Sequence, residues 1–167
     1  MKKLIILLAA AISLLTACTV KYSLSGASIP PDAKTFSVAY FPNNAPMVAP
    51  VLSATLTDEL TQRFASRTSL VQVEEGGDFA FEGEIVGYSS TTSSVSSGDF
   101  ALQNRLTISI KVKFTNAIDD KMSFNRNFSA YADYDSTKLL TEVEGELITQ
   151  IVEQLVTDIF QAAASNW

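Results

Sequence analysis

Two glutamates and three cations are the side chains best placed to do chemistry in this sequence. Glu82 and Glu84 fall two apart in Asp78–Tyr88, DFAFEGEIVGY, whose alternation reads as a strand. At strand rise their carboxylates project from one face about 6.6 Å apart, a separation that an inverting glycoside hydrolase could use. The same spacing serves cross-strand ion pairing: with a hairpin turning near Val95 to Gly98, the opposing residues are Lys111 and its neighbours. We take pairing as the reading of these two acids. The cations Arg105, Lys111 and Lys113 recur on one parity of Ala101–Asn116, and no acid occurs from Ala101 to Ile118. Such a row suits phosphate oxygens, the lysines as point charges and the arginine as a fork. It equally suits a solvated strand face balanced by the two glutamates, and the two uses are compatible.

Composition removes most other chemistry. The sequence has no histidine, which excludes a Ser-His-Asp triad, a His-ligated metal and a His general base. Its one cysteine is Cys18. Lys2 and Lys3 precede the apolar run Leu4–Leu15, too short to span a bilayer but right for an export signal. Leu15-Thr16-Ala17-Cys18 has the pattern of a bacterial lipobox, cut before the cysteine, which is then acylated on sulfur and nitrogen. Each buried methylene contributes about 0.8 kcal/mol, so several acyl chains make a lasting anchor. Thr19 in place of Asp after the cysteine argues for sorting to the outer membrane, facing the periplasm. The expected organisation is a lipoprotein signal over 1–17, a lipid-anchored tether over 18–33 with Gly26 and Pro30-Pro31, and a single domain over 34–167. From Cys18 onward ten basic residues face eighteen acidic ones, a net charge of −8. That balance argues against a nucleic-acid partner. No cofactor or metal is implied beyond the acyl chains on Cys18.

The elements that must position these residues follow from periodicity. Lys34–Phe41 alternates, with Phe36, Val38 and Tyr40 on one face, and stops at Pro42. Val48–Arg67 carries Val48, Val51, Leu52, Thr55, Leu56, Leu60 and Phe64 as one helical stripe. Leu70–Val73 reads as a short strand. In Asp78–Tyr88 Phe79, Phe81 and Ile85 share a face. Ser89–Gly98, SSTTSSVSSG, lacks periodicity and reads as a long polar loop. Ala101–Asn116 places Leu102, Leu106, Ile108, Ile110, Val112 and Phe114 inward, and the cations outward. Met122–Tyr131 returns with Phe124 and Phe128 inward; Arg126 shares their parity, which a bulge or an edge position would accommodate. Thr141 and Glu144 fit a capping box for a last helix reaching about Ala163, roughly 33 Å long, with Val143, Leu147, Ile148, Ile151, Leu155, Ile159 and Phe160 as its stripe. The fold class is α+β: a two-layer sandwich, a mixed and mostly antiparallel sheet of about four strands with two helices on one face. The other face stays free.

The stretches YSLSGASIPPDAKTFSVAYFPNNAP, the TSL of Thr68–Leu70, FEGEIVGY, LQNRLTISIKVKFTN and FSAYADYDS together resemble the LptE family, lipopolysaccharide-assembly lipoproteins, in its Bacteroidetes form. The resemblance implies a non-enzymatic protein, helices packed on a sheet, that plugs the lumen of a large outer-membrane β-barrel, LptD. It would help that barrel assemble and help pass lipopolysaccharide to the outer leaflet. On this view Arg105, Lys111 and Lys113 are candidates for lipid phosphates. A free-standing periplasmic module for lipid or glycan is the alternative class, and a carboxylate hydrolase built on Glu82 and Glu84 a third.

Overall fold

The computed structural model describes residues 29–47, 49–93 and 103–164. Cys18, Val48, Leu102 and the second half of the serine-rich stretch lie outside them. The elements run β1 (Thr35–Val38), α1 (Leu52–Arg67), β2 (Val71–Gln72), β3 (Phe79–Ser93), β4 (Gln103–Asn116), a 3-10 turn (Asp120–Met122), β5 (Phe124–Asp135) and α2 (Leu140–Ala164). They form one five-stranded sheet in the order β2-β1-β3-β4-β5. β1 runs parallel to both β2 and β3, while β3, β4 and β5 form an antiparallel meander. The α+β sandwich is as expected. The count is five strands rather than about four, because the short β2 ladder is a full member of the sheet.

The core lies between the helices and one sheet face. Phe79, Phe81 and Ile85 of β3 and Leu106, Ile108, Ile110, Val112 and Phe114 of β4 are buried, the face that strict alternation marks out. Leu52, Leu56, Leu60 and Phe64 of α1 recur every four residues and are all fully buried. Phe64 joins both layers: its ring lies 4.6 Å from Phe81 and 5.0 Å from Phe160 of α2. Arg63 ties the helices at their surface, donating from Nη1 to Thr157 Oγ1 at 3.0 Å.

Several local expectations change. β1 ends at Val38, so Tyr40 is 63% exposed and Phe41 is buried instead. Phe41 can turn inward because its inner-face neighbour on β3 is Gly83, where a Cβ would fall 2.5 Å from the Phe41 ring and on the Lys111 carbonyl. α1 begins at Leu52, leaving Val51 outside the stripe as an exposed N-cap. β3 does not stop at Tyr88. An irregularity between Ile85 and Gly87 inserts Val86, and this bulge resets the parity so that Tyr88 points inward. The strand then runs to Ser93, paired with Gln103. α2 is capped two residues earlier than Thr141: Glu142 Oε2 accepts from the Leu139 N–H at 3.1 Å. Glu144 instead accepts the Tyr88 hydroxyl at 2.5 Å. Burial and that carboxylate, in this order, raise the Tyr88 phenol pKa.

α2 crosses the sheet obliquely. Its first turns reach Tyr88, and its end shares a niche with Phe79, Asn116 and Met122 through Ala163. On β5 only Ala130, Ala132 and Tyr134 are buried; the two alanines let the helix approach closely. The first half of β5 lies beyond the helix. This places Arg126 on the core parity yet exposed, an edge position with no bulge.

Candidate functional site

The uncovered sheet face is built from the outward parity of β3, β4 and β5, in register. Its rows read Glu82–Lys113–Asn125, Glu84–Lys111–Asn127, Gly87–Ser109–Ser129, Ser89–Thr107–Tyr131, Thr91–Arg105–Asp133 and Ser93–Gln103–Asp135. Carboxylates, lysines and the amides of Asn125 and Asn127 hold one end, and hydroxyls the middle. Ser109 and Ser129 hydroxyls lie 2.9 Å apart. Tyr131, 56% exposed, is the one large ring on these rows.

The three expected cations do not form one cluster. Lys111 and Lys113 stand together over a cleft of about 310 Å³ lined also by Pro42, Glu82, Glu84 and Asn125. Arg105 lies six residues along the strand, about 20 Å away. Its fork is filled: Nε donates to Asp133 Oδ1 at 2.7 Å and Nη2 to Oδ2 at 2.9 Å. Its guanidinium carbon also sits 3.7 Å from the Tyr131 ring centroid. The bond from Arg105 holds Asp133 below the usual carboxylate range, and the same bond raises Arg105.

Of the two glutamates, Glu82 pairs across strands as the spacing implies, while Glu84 stands in register with a lysine but bonds elsewhere. Lys113 Nζ donates to Glu82 Oε2 at 2.9 Å, Lys111 stands opposite Glu84, and Glu84 Oε2 accepts from Asn44 Nδ2 at 2.7 Å. An exposed pair such as Lys113–Glu82 stabilises little. Among the described residues no group of three or more Cys, Asp or Glu is gathered as a metal would need. No described helix is long and apolar enough to cross a membrane.

Tyr131 and Asp133 were not legible as site residues. A strand read as ending at Tyr131 leaves Asp133 in a loop, although the alternation of Ala130, Ala132 and Tyr134 continues in YADYD and could have carried the strand further. Cys18, the expected acylation site, lies outside the described residues.

What the fold defines is a two-layer α+β domain with one sheet face open, polar and charge-paired. The family model for LptE, lipopolysaccharide-assembly, matches residues 33–163, and the chain belongs to that family. No curated protein matches the chain. Among solved structures, a hypothetical protein from Chlamydia trachomatis superposes with a TM-score of 0.55 at 10% identity, over 80% of this chain and 99% of the other. A minor lipoprotein from Acinetobacter baumannii gives a TM-score of 0.50 at 13% identity, over 77% and 91%. At these identities the likeness is one of fold.

Proposed function

We propose that this chain is a lipid-anchored, non-enzymatic partner of an LptD-type outer-membrane β-barrel, lodged in its lumen and assisting lipopolysaccharide on its way to the outer leaflet. Membership of the lipopolysaccharide-assembly family sets the process. The observation that carries the finer reading is the open sheet face. Its hydroxyls, amides and paired charges suit the polar interior wall of a large barrel and would be out of place against lipid tails. Acylated Cys18 holds the domain at the periplasmic side of the outer membrane. Lys111, which joins no ion pair among the described residues, supplies local positive charge for lipid phosphates on a protein whose net charge repels them, beside Lys113, which is shared with Glu82. Arg105, held by both oxygens of Asp133, shapes the face instead. Glu82 and Glu84, tied to Lys113 and Asn44, serve the sheet and not hydrolysis.

The direct test is purification of the tagged chain from outer membranes in mild detergent. A stoichiometric β-barrel that survives gel filtration is the expected result; a lone monomer binding lipid or glycan would establish the free-standing module in its place. Lipopolysaccharide contact is tested separately. Lys111→Gln with Lys113→Gln should weaken binding to the purified protein and flatten its salt dependence, while Arg105→Gln should leave binding intact and lower the melting temperature. The reverse pattern would move the phosphate contact to Arg105.

A further inference from the structure

The two edges of the sheet are unequal. β2 is two residues long, and brevity protects an edge. β5, the other edge, is twelve residues long. Every second residue of an edge strand turns its N–H and C=O away from the sheet. Among the described residues, the backbone bond that β5 makes beyond β4 is the Asp135 carbonyl accepting the Lys138 N–H at 3.0 Å.

The helix-side face of its first half is also unfilled. Phe124 and Phe128 are half-buried, 6.0 Å apart by ring centroids, with Phe124 5.2 Å from the core ring of Phe114. Arg126 stands between them, exposed, its guanidinium carbon 5.0 Å from the Phe124 centroid. Among the described residues it joins no ion pair. A groove of about 500 Å³ at the head of the strand reaches from Phe114 and Phe124 round the edge to Lys113 and Asn125 of the open face. The edge therefore presents free backbone together with an apolar–cationic–apolar row at strand spacing.

We propose that β5 accepts a sixth strand from a partner protein: an extended segment carrying a carboxylate opposite Arg126 and apolar side chains two residues to either side, over Phe124 and Phe128. Backbone bonds supply affinity in such strand addition and alternate side chains supply specificity. The carboxylate is required because an added strand would partly desolvate Arg126, and an unpaired charge there is costly. The surface is distinct from the open sheet face, and the proposal holds whether or not a barrel is that partner.

The probe is the labelled nonapeptide Lys-Thr-Val-Thr-Glu-Thr-Val-Thr-Lys, with a twin in which the central Glu is Lys. Titrated into the full chain in detergent, the Glu peptide should bind about tenfold more tightly than the twin, the scale of one close charge pair. General attraction to an acidic protein would favour the twin, so the preference can come only from a local cation. Binding should slow hydrogen exchange along β5, and Arg126→Glu should invert the preference. Equal binding of the two peptides, or protection elsewhere, overturns the proposal. So does an Arg126→Val variant that dimerises while the wild type ignores both peptides, which would make Arg126 a guard against edge-to-edge association.

Discussion

Asp78 does the most with one carboxylate. Its Oδ2 accepts from the Lys34 N–H at 2.8 Å, the Thr35 N–H at 2.9 Å and the Thr35 hydroxyl at 2.9 Å, while Thr35 Oγ1 accepts from the Asp78 N–H at 3.0 Å. This reciprocal clasp fastens the start of β1 to the start of β3. The bonds from Lys34 and Thr35 hold the Asp78 pKa below its ordinary value. A carboxylate depressed in the folded state adds stability above its unfolded pKa of about 3.9, and that contribution is lost as pH falls through the lowered value. Asp78→Ala should therefore lower the urea midpoint at pH 7. The midpoints of variant and wild type should converge as pH drops below about 4; a gap independent of pH would mean the clasp does not act through the ionised form.

At the scale of elements, α2 is the main support of the core, with Leu155 fully buried and Glu153 exposed. Leu155→Asp should cost at least about 3 kcal/mol, the scale of emptying a buried leucine site, before the charge adds its own desolvation. Glu153→Ala should stay within about 0.5 kcal/mol; equal melting temperatures for the two would place the wrong face of α2 inward. Elements with one buried face were legible in the sequence: the β4 alternation names its core residues, and the helical stripes find Leu52, Leu56, Leu60 and Phe64, and Leu147, Ile148, Ile151, Leu155, Ile159 and Phe160. The stripes also include the exposed Val51 and omit the buried Val152, Val156, Ala163 and Ala164. What escaped was set by partners distant in the chain. Ser89–Ser93 has no apolar rhythm to show that it is strand; it is held by the ladder to β4 and, through Ser90, by the Tyr134 hydroxyl at 2.7 Å. The turn of Phe41 into the core depends on Gly83, forty-two residues later. For the site, the cation parity and the pairing of Glu82 were legible; the bond of Glu84 to Asn44 was not. The occupation of Arg105 by Asp133 was not, because it depends on where β5 ends.

At the scale of the whole molecule, attachment and folding can be separated. Cys18→Ser should abolish fatty-acid labelling and release the chain from membranes that lack any barrel partner, with its melting temperature unchanged; tight membrane retention of the variant would refute the lipobox reading. The position of β1 has a kinetic consequence. Its ladder to β3 joins Phe36 to Phe79, with α1 and β2 between them in the chain, whereas β3, β4 and β5 close by successive hairpins. Loops of that length are costly to close early, and non-local parallel pairing is slow. The meander should be structured in the folding transition state and the β1 seam formed afterwards. If the chain is exported as proposed, threading from its N-terminus would hold β1 as an unsatisfied strand until β3 arrives, the interval in which a chaperone has most to offer. Stopped-flow refolding can test that order: Ile110→Val should give a φ-value well above that of Val38→Ala, and comparable values would mean the seam and the meander form together.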